Sequence, residues 1–344
     1  MTQAPAMRFS IDSWDAGYGS AMESGGLRQS DAPTRLDVEL PVSEWAAIDV
    51  DSRVALPDAV LFVDGVRRID ARVWLADQGD AGVVSGTAAA AGICASYAAG
   101  VVCCCDGRSH VASVDVRRGM FTFAEHAQDI TTRAGVYSAW RARANAEVSP
   151  SLALSEALQE QLTATEIDAA TAARIDSDAH PASTSDLLVV DGPLRGREKL
   201  ERAVGYIKSH QTEYLDPEQN VLVGALRPGQ RTPVFLMGTT WERYSWYVRL
   251  PGAEGAPWAG VVRVEAGPRL AASEAVTLAN VTQRVLGRFA SEEYKDARAP
   301  QNLYPIAGLE KHLRHRLGDQ AFIYRALRAS ATRGSAHDLH IPRG

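Results

Sequence analysis

The pattern of apolar and polar positions along the chain changes period twice. From Ala59, "AVLFVDG" leads into "RRIDARVWL", where Ile69, Ala71, Val73 and Leu75 alternate with polar neighbours. That alternation predicts half-buried strands. "AAAAGICASYAAGVVCCC" predicts a third, more buried strand, and "SHVASVDVRRGMFTF" one or two more. Short turns between them imply an antiparallel meander. From Ser149 the period becomes helical: Leu154, Leu158, Leu162 and Ile167 lie near one stripe, with Ser149 as N-cap and Pro150 at the first helical position. A polar linker, "SDAHPASTSD", follows. "LLVVDGPL" is then apolar on both faces, which suits an inner, parallel strand.

"GREKLERAVGYIKSH" reads as helix passing into strand. "RTPVFLMG", "SWYVRLPG" and "WAGVVRVEA" read as strands, the last with Val262, Val264 and Ala266 alternating against Arg263 and Glu265. "ASEAVTLANVTQRVLGRFASEEY" reads as a helix capped by Ser273, and "LYPIAGLEKHLRHRLGDQAFIYRALRA" as a final helical pair. The fold class expected is α/β: a mixed sheet, antiparallel meander first and parallel inner strand second, flanked by helices. Residues 1–45 read as a polar arm with one strand at "RLDVEL". Residues 46–330 read as the main domain and 331–344 as a flexible tail. There is no internal repeat.

Composition narrows this little. The chain has 344 residues and 46% hydrophobic content, enough for one large domain or two modest ones. A net charge of −6 advertises no global basic field for nucleic acid, although an acidic body can carry a local basic lining. The start of the chain lacks a basic stretch followed by an apolar core, so no signal peptide is expected. The most apolar segment, Ala88–Cys105, is broken by Ser96, Tyr97 and Gly100, so no membrane span is expected and the location expected is cytoplasmic. The cysteines are Cys94 and the run Cys103-Cys104-Cys105. Adjacent strand residues point to opposite faces, so all three cannot converge on one metal, and they read as buried thiols of a reducing compartment.

Two runs end alike: "AVLFVDGVRR" at Ala59–Arg68 and "LLVVDGPLRG" at Leu187–Gly196. A carboxylate at the carboxyl end of an inner strand sits where ligands bind open sheets. The following glycine lets the chain turn and lets a phosphate or metal approach. Asp-Gly is also among the commonest turn dipeptides. Two such aspartates from neighbouring strands can share a divalent cation, and an intervening helix can add a third carboxylate. That set supports two-metal phosphodiester hydrolysis. The element order is that of a ribonuclease-H-like fold, which also serves sugar kinases and actin-like ATPases.

The chain resembles the bacterial version of the NurA family of DNA-repair nucleases, over about residues 55–328. The residues that carry the resemblance are "LFVDGVRR", "LLVVDGPLRG" after a long helix, "VGYIKSHQTEYL", "SWYVRLPG" with "PWAGVVRVE", and "PQNLYPIAGLEKHLRHRLGD". It implies that Asp64 and Asp191 hold Mn²⁺ or Mg²⁺ together with a glutamate of the helix before Asp191. Glu156, Glu160 and Glu166 compete for that place, and Glu166 is favoured because the stretch after it is Ala-rich. It implies a lysine near the phosphate, Lys208, and a histidine near the end, His312, able to orient water or protonate the 3′ oxygen. The cluster Lys311, Arg314, His315 and Arg316, with Arg67 and Arg68, would hold a DNA backbone. Trp241, Tyr244, Trp246, Tyr247 and Tyr304 are candidates for stacking on single-stranded bases. Members are similar in 5′-to-3′ exonuclease and single-strand endonuclease activity, as homodimers working with a HerA-type hexameric ATPase, and the arm is where partner or dimer contacts are expected.

Two other readings stay open. In a sugar-kinase-like phosphotransferase the same aspartates would flank ATP, but "DGVRR" and "DGPLRG" offer few backbone donors for a phosphate cradle. In a catalytically degenerate subunit the chain would only bind DNA or a translocase.

Overall fold

The computed structural model describes residues 14–15, 27–76, 89–145, 147–175, 185–238, 241–252 and 258–337. Most of the polar arm, most of the linker before Leu187 and the last residues of the tail lie outside them. The chain divides into two compact units. One comprises Met1–Val63, Val102–His110 and Asp178–Gly308; the other comprises Asp64–Val101, Val111–Ser177 and Leu309–Gly344.

Thirteen strands are found among the described residues. They are β1 (Arg28–Gln29), β2 (Thr34–Arg35), β3 (Ala59–Ala76), β4 (Ala89–Cys105), β5 (Arg108–Thr122), β6 (Ile130–Thr132), β7 (Gly135–Arg141), β8 (Asp186–Asp191), β9 (Ala203–Ile207), β10 (Thr212–Glu213), β11 (Phe235–Met237), β12 (Arg243–Arg249) and β13 (Val261–Ala266). Five helices accompany them: α1 (Pro150–Ile175), α2 (Pro217–Ala225), α3 (Ala272–Leu286), α4 (Tyr304–Arg316) and α5 (Gln320–His337). Eleven strands follow the order β2-β11-β12-β13-β9-β8-β3-β4-β5-β7-β6 in one mixed sheet, and β1 pairs with β10.

In the first unit, β8 is the parallel inner strand that its two-faced apolar run predicts. It pairs in parallel with β3, from Ala59–Asp186 to Val63–Val190, and in parallel with β9, from Leu188–Ala203 to Asp191–Tyr206. Val60, Phe62, Leu187 and Val189 then face one core with Trp246, Val262, Val264, Ala279 and Ile306. β9 pairs antiparallel with β13, and β13 with β12. Arg231 is 1% exposed and donates to both carboxylate oxygens of Glu39, whose Oε2 also accepts from the Val234 N–H.

In the second unit, Leu154, Leu158 and Leu162 of α1 pack on Ile93, Ala95, Tyr97 and Phe121. Ile323 and Leu327 of α5 pack with Cys94, Met120 and Tyr137. Burial pushes the Cys94 thiol up to about 12, so it is an inert core group. The buried Asp70 accepts from Ser96 Oγ, Tyr137 Oη and Arg68 Nε.

Several elements differ from the sequence pattern. Of "RLDVEL" only Arg35 lies in a strand, as the second residue of β2, and Glu39 anchors the rest of the segment through its side chain rather than through a ladder. The helix expected before β9 is replaced by turns: Gly196 and Arg202 have φ of +82° and +46°, which a right-handed helix cannot contain. Helix α2, opened by Asp216 and Pro217, gives no apolar stripe to read. Helix α3 starts one residue before Ser273, and the backbone N–H of Ala271 is taken by Glu274 Oε2 at 2.7 Å. No helix among the described residues is long and apolar enough to cross a membrane.

Candidate functional site

The two Asp-Gly pairs prove unlike. Gly192 has φ +105°, so Asp191 closes β8 and the chain turns there, as its sequence predicts. Asp64-Gly65 is not a strand end: β3 runs through it to Ala76. The expectation that the chain leaves the sheet at Asp64 is therefore corrected. Gly65 instead lets helix α1 come close. A Cβ built there would lie 2.5 Å from Glu166 Oε1 and 2.7 Å from Leu162 Cδ1. The carboxylate of Glu166 thus stands where any other residue following Asp64 would place a side chain.

Asp64 is 9% exposed and Glu166 4%. The Gly65 N–H donates to Asp64 Oδ1 at 2.7 Å. Glu156 and Glu160 are exposed. Glu166 is four residues from Leu162 and eight from Leu158, hence on the buried stripe; Ile167 is only half-buried. Of the three glutamates the sequence offers, the structure brings Glu166 to the residue beside Asp64.

In the other unit, Asp191 is half-buried and its Oδ2 accepts from Lys208 Nζ at 2.8 Å. Lys208 also donates to Asn302 Oδ1 at 3.0 Å, and Asn302 donates to Asp296 Oδ2. Lys208 is therefore a positioned cation rather than a freely solvated one. The loop after Asp191 is pinned from below: Leu194 N–H donates to Glu265 Oε1 at 2.7 Å. Glu265 Oε2 accepts from Arg243 Nε at 3.1 Å and Arg263 Nη1 at 2.9 Å. A Cβ at Gly205 would meet Glu265 Cγ at 2.8 Å and Gly192 O at 2.9 Å, so β9 and the Asp191 turn are held in close contact. The part played by Asn302 and Glu265 carried no signal in the sequence beyond the alternation that pointed Glu265 away from the apolar face of β13.

The remaining candidates divide. His312 is half-buried on α4 and makes no hydrogen bond or ion pair among the described residues. Arg314 is held by Glu310 one turn earlier at 2.7 Å, and Arg316 is exposed. Arg67 is exposed and donates to Ser155 O, whereas Arg68 is tied to Asp70 and to Gly318 O. Tyr244, Trp246 and Tyr247 are core residues at 7%, 0% and 1% exposure, so they have no face for a base. Trp241 lies under the Arg243 guanidinium, and Tyr304 is exposed.

Two residues past Lys208, His210 is buried against Trp258 and Tyr247, with Nε2 3.0 Å from Val261 O. Burial lowers its pKa from 6.5 to about 4. The folded state therefore favours neutral imidazole. Its contribution is complete above the unfolded pKa near 6.5 and is lost as pH falls toward 4, amounting to roughly 3 kcal/mol. Urea midpoints measured between pH 7 and pH 4 should fall accordingly, and His210→Gln, which keeps a donor for Val261 O, should remove that part of the slope. An unchanged slope in the variant would assign the acid sensitivity elsewhere.

No protein family's sequence profile matches this chain, and no curated protein sequence matches it. Among solved structures, the NurA nuclease from Sulfolobus solfataricus is similar, with a TM-score of 0.43 and 10% identity over 87% of this chain and 89% of that one. A likeness that distant assigns no activity, and the chemistry rests on the residues themselves.

Proposed function

We propose that this chain is a divalent-metal-dependent nuclease of the kind its motifs resemble. The observation that carries the reading is the carboxylate of Glu166 buried against Gly65, one residue from the buried Asp64. Asp64 and Glu166 are both buried, and they bring two carboxylates to adjoining positions of β3 and of the helix packed on it. An all-oxygen donor set fits a hard cation such as Mg²⁺ or Mn²⁺. The space beside Asp64, kept open by the missing Gly65 side chain, fits the approach of the helix carboxylate. Asp191 is proposed as the third ligand on the strength of the resemblance. When bound, the ion supplies Lewis acidity to phosphate oxygens and to a water nucleophile.

The chain's own groups do the rest. Lys208, fixed by Asp191 and Asn302, places positive charge where the phosphate gains negative charge. His312 orients water or gives a proton to the departing 3′ oxygen. Arg67, Arg314 and Arg316 offer exposed guanidinium groups to the DNA backbone. The finer reading extends the resemblance: 5′-to-3′ and single-strand cleavage in DNA-end processing, as a homodimer working with a HerA-type translocase.

Labelled single-stranded DNA with Mn²⁺ is the test. Cleavage should fall by roughly 10²–10³-fold or more in Asp64→Asn, Glu166→Gln and Asp191→Asn, and chelation should abolish it. Glu156→Gln and Glu160→Gln should retain it. Phosphoryl transfer from ATP without cleavage, or DNA binding without cleavage by the wild type, would overturn the reading.

A further inference from the structure

We propose that the β4–β5 hairpin carries a second, chemically different metal site, in which Cys103, Cys105 and His110 bind a zinc-class divalent cation. The sequence that encodes it is "CCCDGRSH", Cys103 to His110. Asp106 and Gly107 have φ of +48° and +70°. Two successive left-handed residues make the two-residue turn whose twist matches paired strands, and that turn sets the register of the hairpin. Cys105 then stands opposite Arg108, and Cys103 opposite His110. Opposed residues in an antiparallel pair share a face. Cys103 and Cys105, two apart on β4, share it as well. Cys104 points the other way and packs against the core of Phe62 and Trp246. Three adjacent cysteines cannot converge, but the outer two can, and the third ligand comes from the next strand.

The side-chain atoms meet this expectation. One ligand atom from each of Cys103, Cys105 and His110 lies within 4.8 Å of the others. The two Sγ atoms are 3.4 Å apart and both thiols are free. A disulfide would need about 2.05 Å. Two thiolates on one tetrahedral zinc, each at about 2.3 Å, stand about 3.8 Å apart. The observed spacing is close to the second arrangement and far from the first. Two sulfurs and an imidazole select zinc-class ions over Mg²⁺ or Mn²⁺, so this donor set does not duplicate the carboxylates. Cys103 and Cys105 are buried and His110 is exposed, which gives an ion a route from solvent and a ligand free to close over it. Each thiol would release its proton to solvent on coordination. Three protein ligands leave a fourth position for water.

Reduced, metal-free protein titrated with Co²⁺ tests the site. One equivalent should produce thiolate-to-cobalt charge-transfer absorption with the visible bands of tetrahedral cobalt, and Zn²⁺ should displace it. The signal should be lost in Cys103→Ser and in Cys105→Ser, and kept in Cys104→Ser and Cys94→Ser. His110→Ala, a change at an exposed position that leaves the fold intact, should weaken binding and alter the visible bands. No charge-transfer band in the wild type, a band that survives in Cys103→Ser, or bands unmoved by His110→Ala would overturn the proposal.

Discussion

Replacing Glu265 with alanine should destabilise the protein by about 3–5 kcal/mol, a large share of the roughly 5–15 kcal/mol that holds a typical domain folded. The residue is fully buried and is the shared partner of Arg243, Arg263 and the Leu194 N–H. Without it, two guanidinium groups and one amide lose their acceptor inside the molecule. Burial already lowers the pKa of Arg243 despite the carboxylate beside it, which shows how far these cations depend on that charge. Ser245 Oγ and the Tyr214 ring would retain part of the contact to Arg263. Glu265→Gln, which preserves the shape and one acceptor, should lose less. Because Glu265 also pins the turn after Asp191, DNA cleavage should fall in the folded fraction of either variant. A change in the urea midpoint equivalent to less than about 1 kcal/mol for the alanine variant would show that the network is not what holds this part of the sheet.

Gly65→Ala should both destabilise and inactivate. The added methyl meets Glu166 Oε1 at 2.5 Å and Leu162 Cδ1 at 2.7 Å, so α1 or the carboxylate must move. Overpacking of this kind costs about 1–3 kcal/mol. The functional loss should exceed what unfolding explains, because the displaced group is the proposed metal ligand. Comparing cleavage per folded molecule separates the two effects. Gly308→Ala is the control: nothing lies within 4 Å of its new Cβ, it is exposed on α4, and it should gain about 0.5–1 kcal/mol in helix propensity. Full activity in folded Gly65→Ala would remove Glu166 from the site.

Some of this was readable from the residues alone. Alternation over Ala71–Leu75 and over Val262–Ala266, and the leucine stripe of α1, report periods that a strand or helix imposes on its own neighbours. They are local, so they survive in sequence. At the start of the first run, by contrast, Ile69 is exposed and Asp70 is buried. Glu166 was favoured for the Ala-rich stretch after it, and the glycine after Asp191 marked a true turn. Elsewhere local signals competed. Asp64-Gly65 carries the same dipeptide as Asp191-Gly192, yet one is mid-strand and the other a terminus.

By itself, then, the order of residues determined which way each side chain leaves its own element: Leu158 and Glu166 to the inside of one helix, Cys103 and Cys105 to one side of one strand, Val189 and Asp191 to one side of another. What stands opposite was decided only by folding. That Glu166 meets a glycine on β3 and that Lys208 meets Asp191 and Asn302 depend on contacts between distant segments. Such contacts form because large apolar faces must be buried together, and no period within a single segment records which face will be its neighbour.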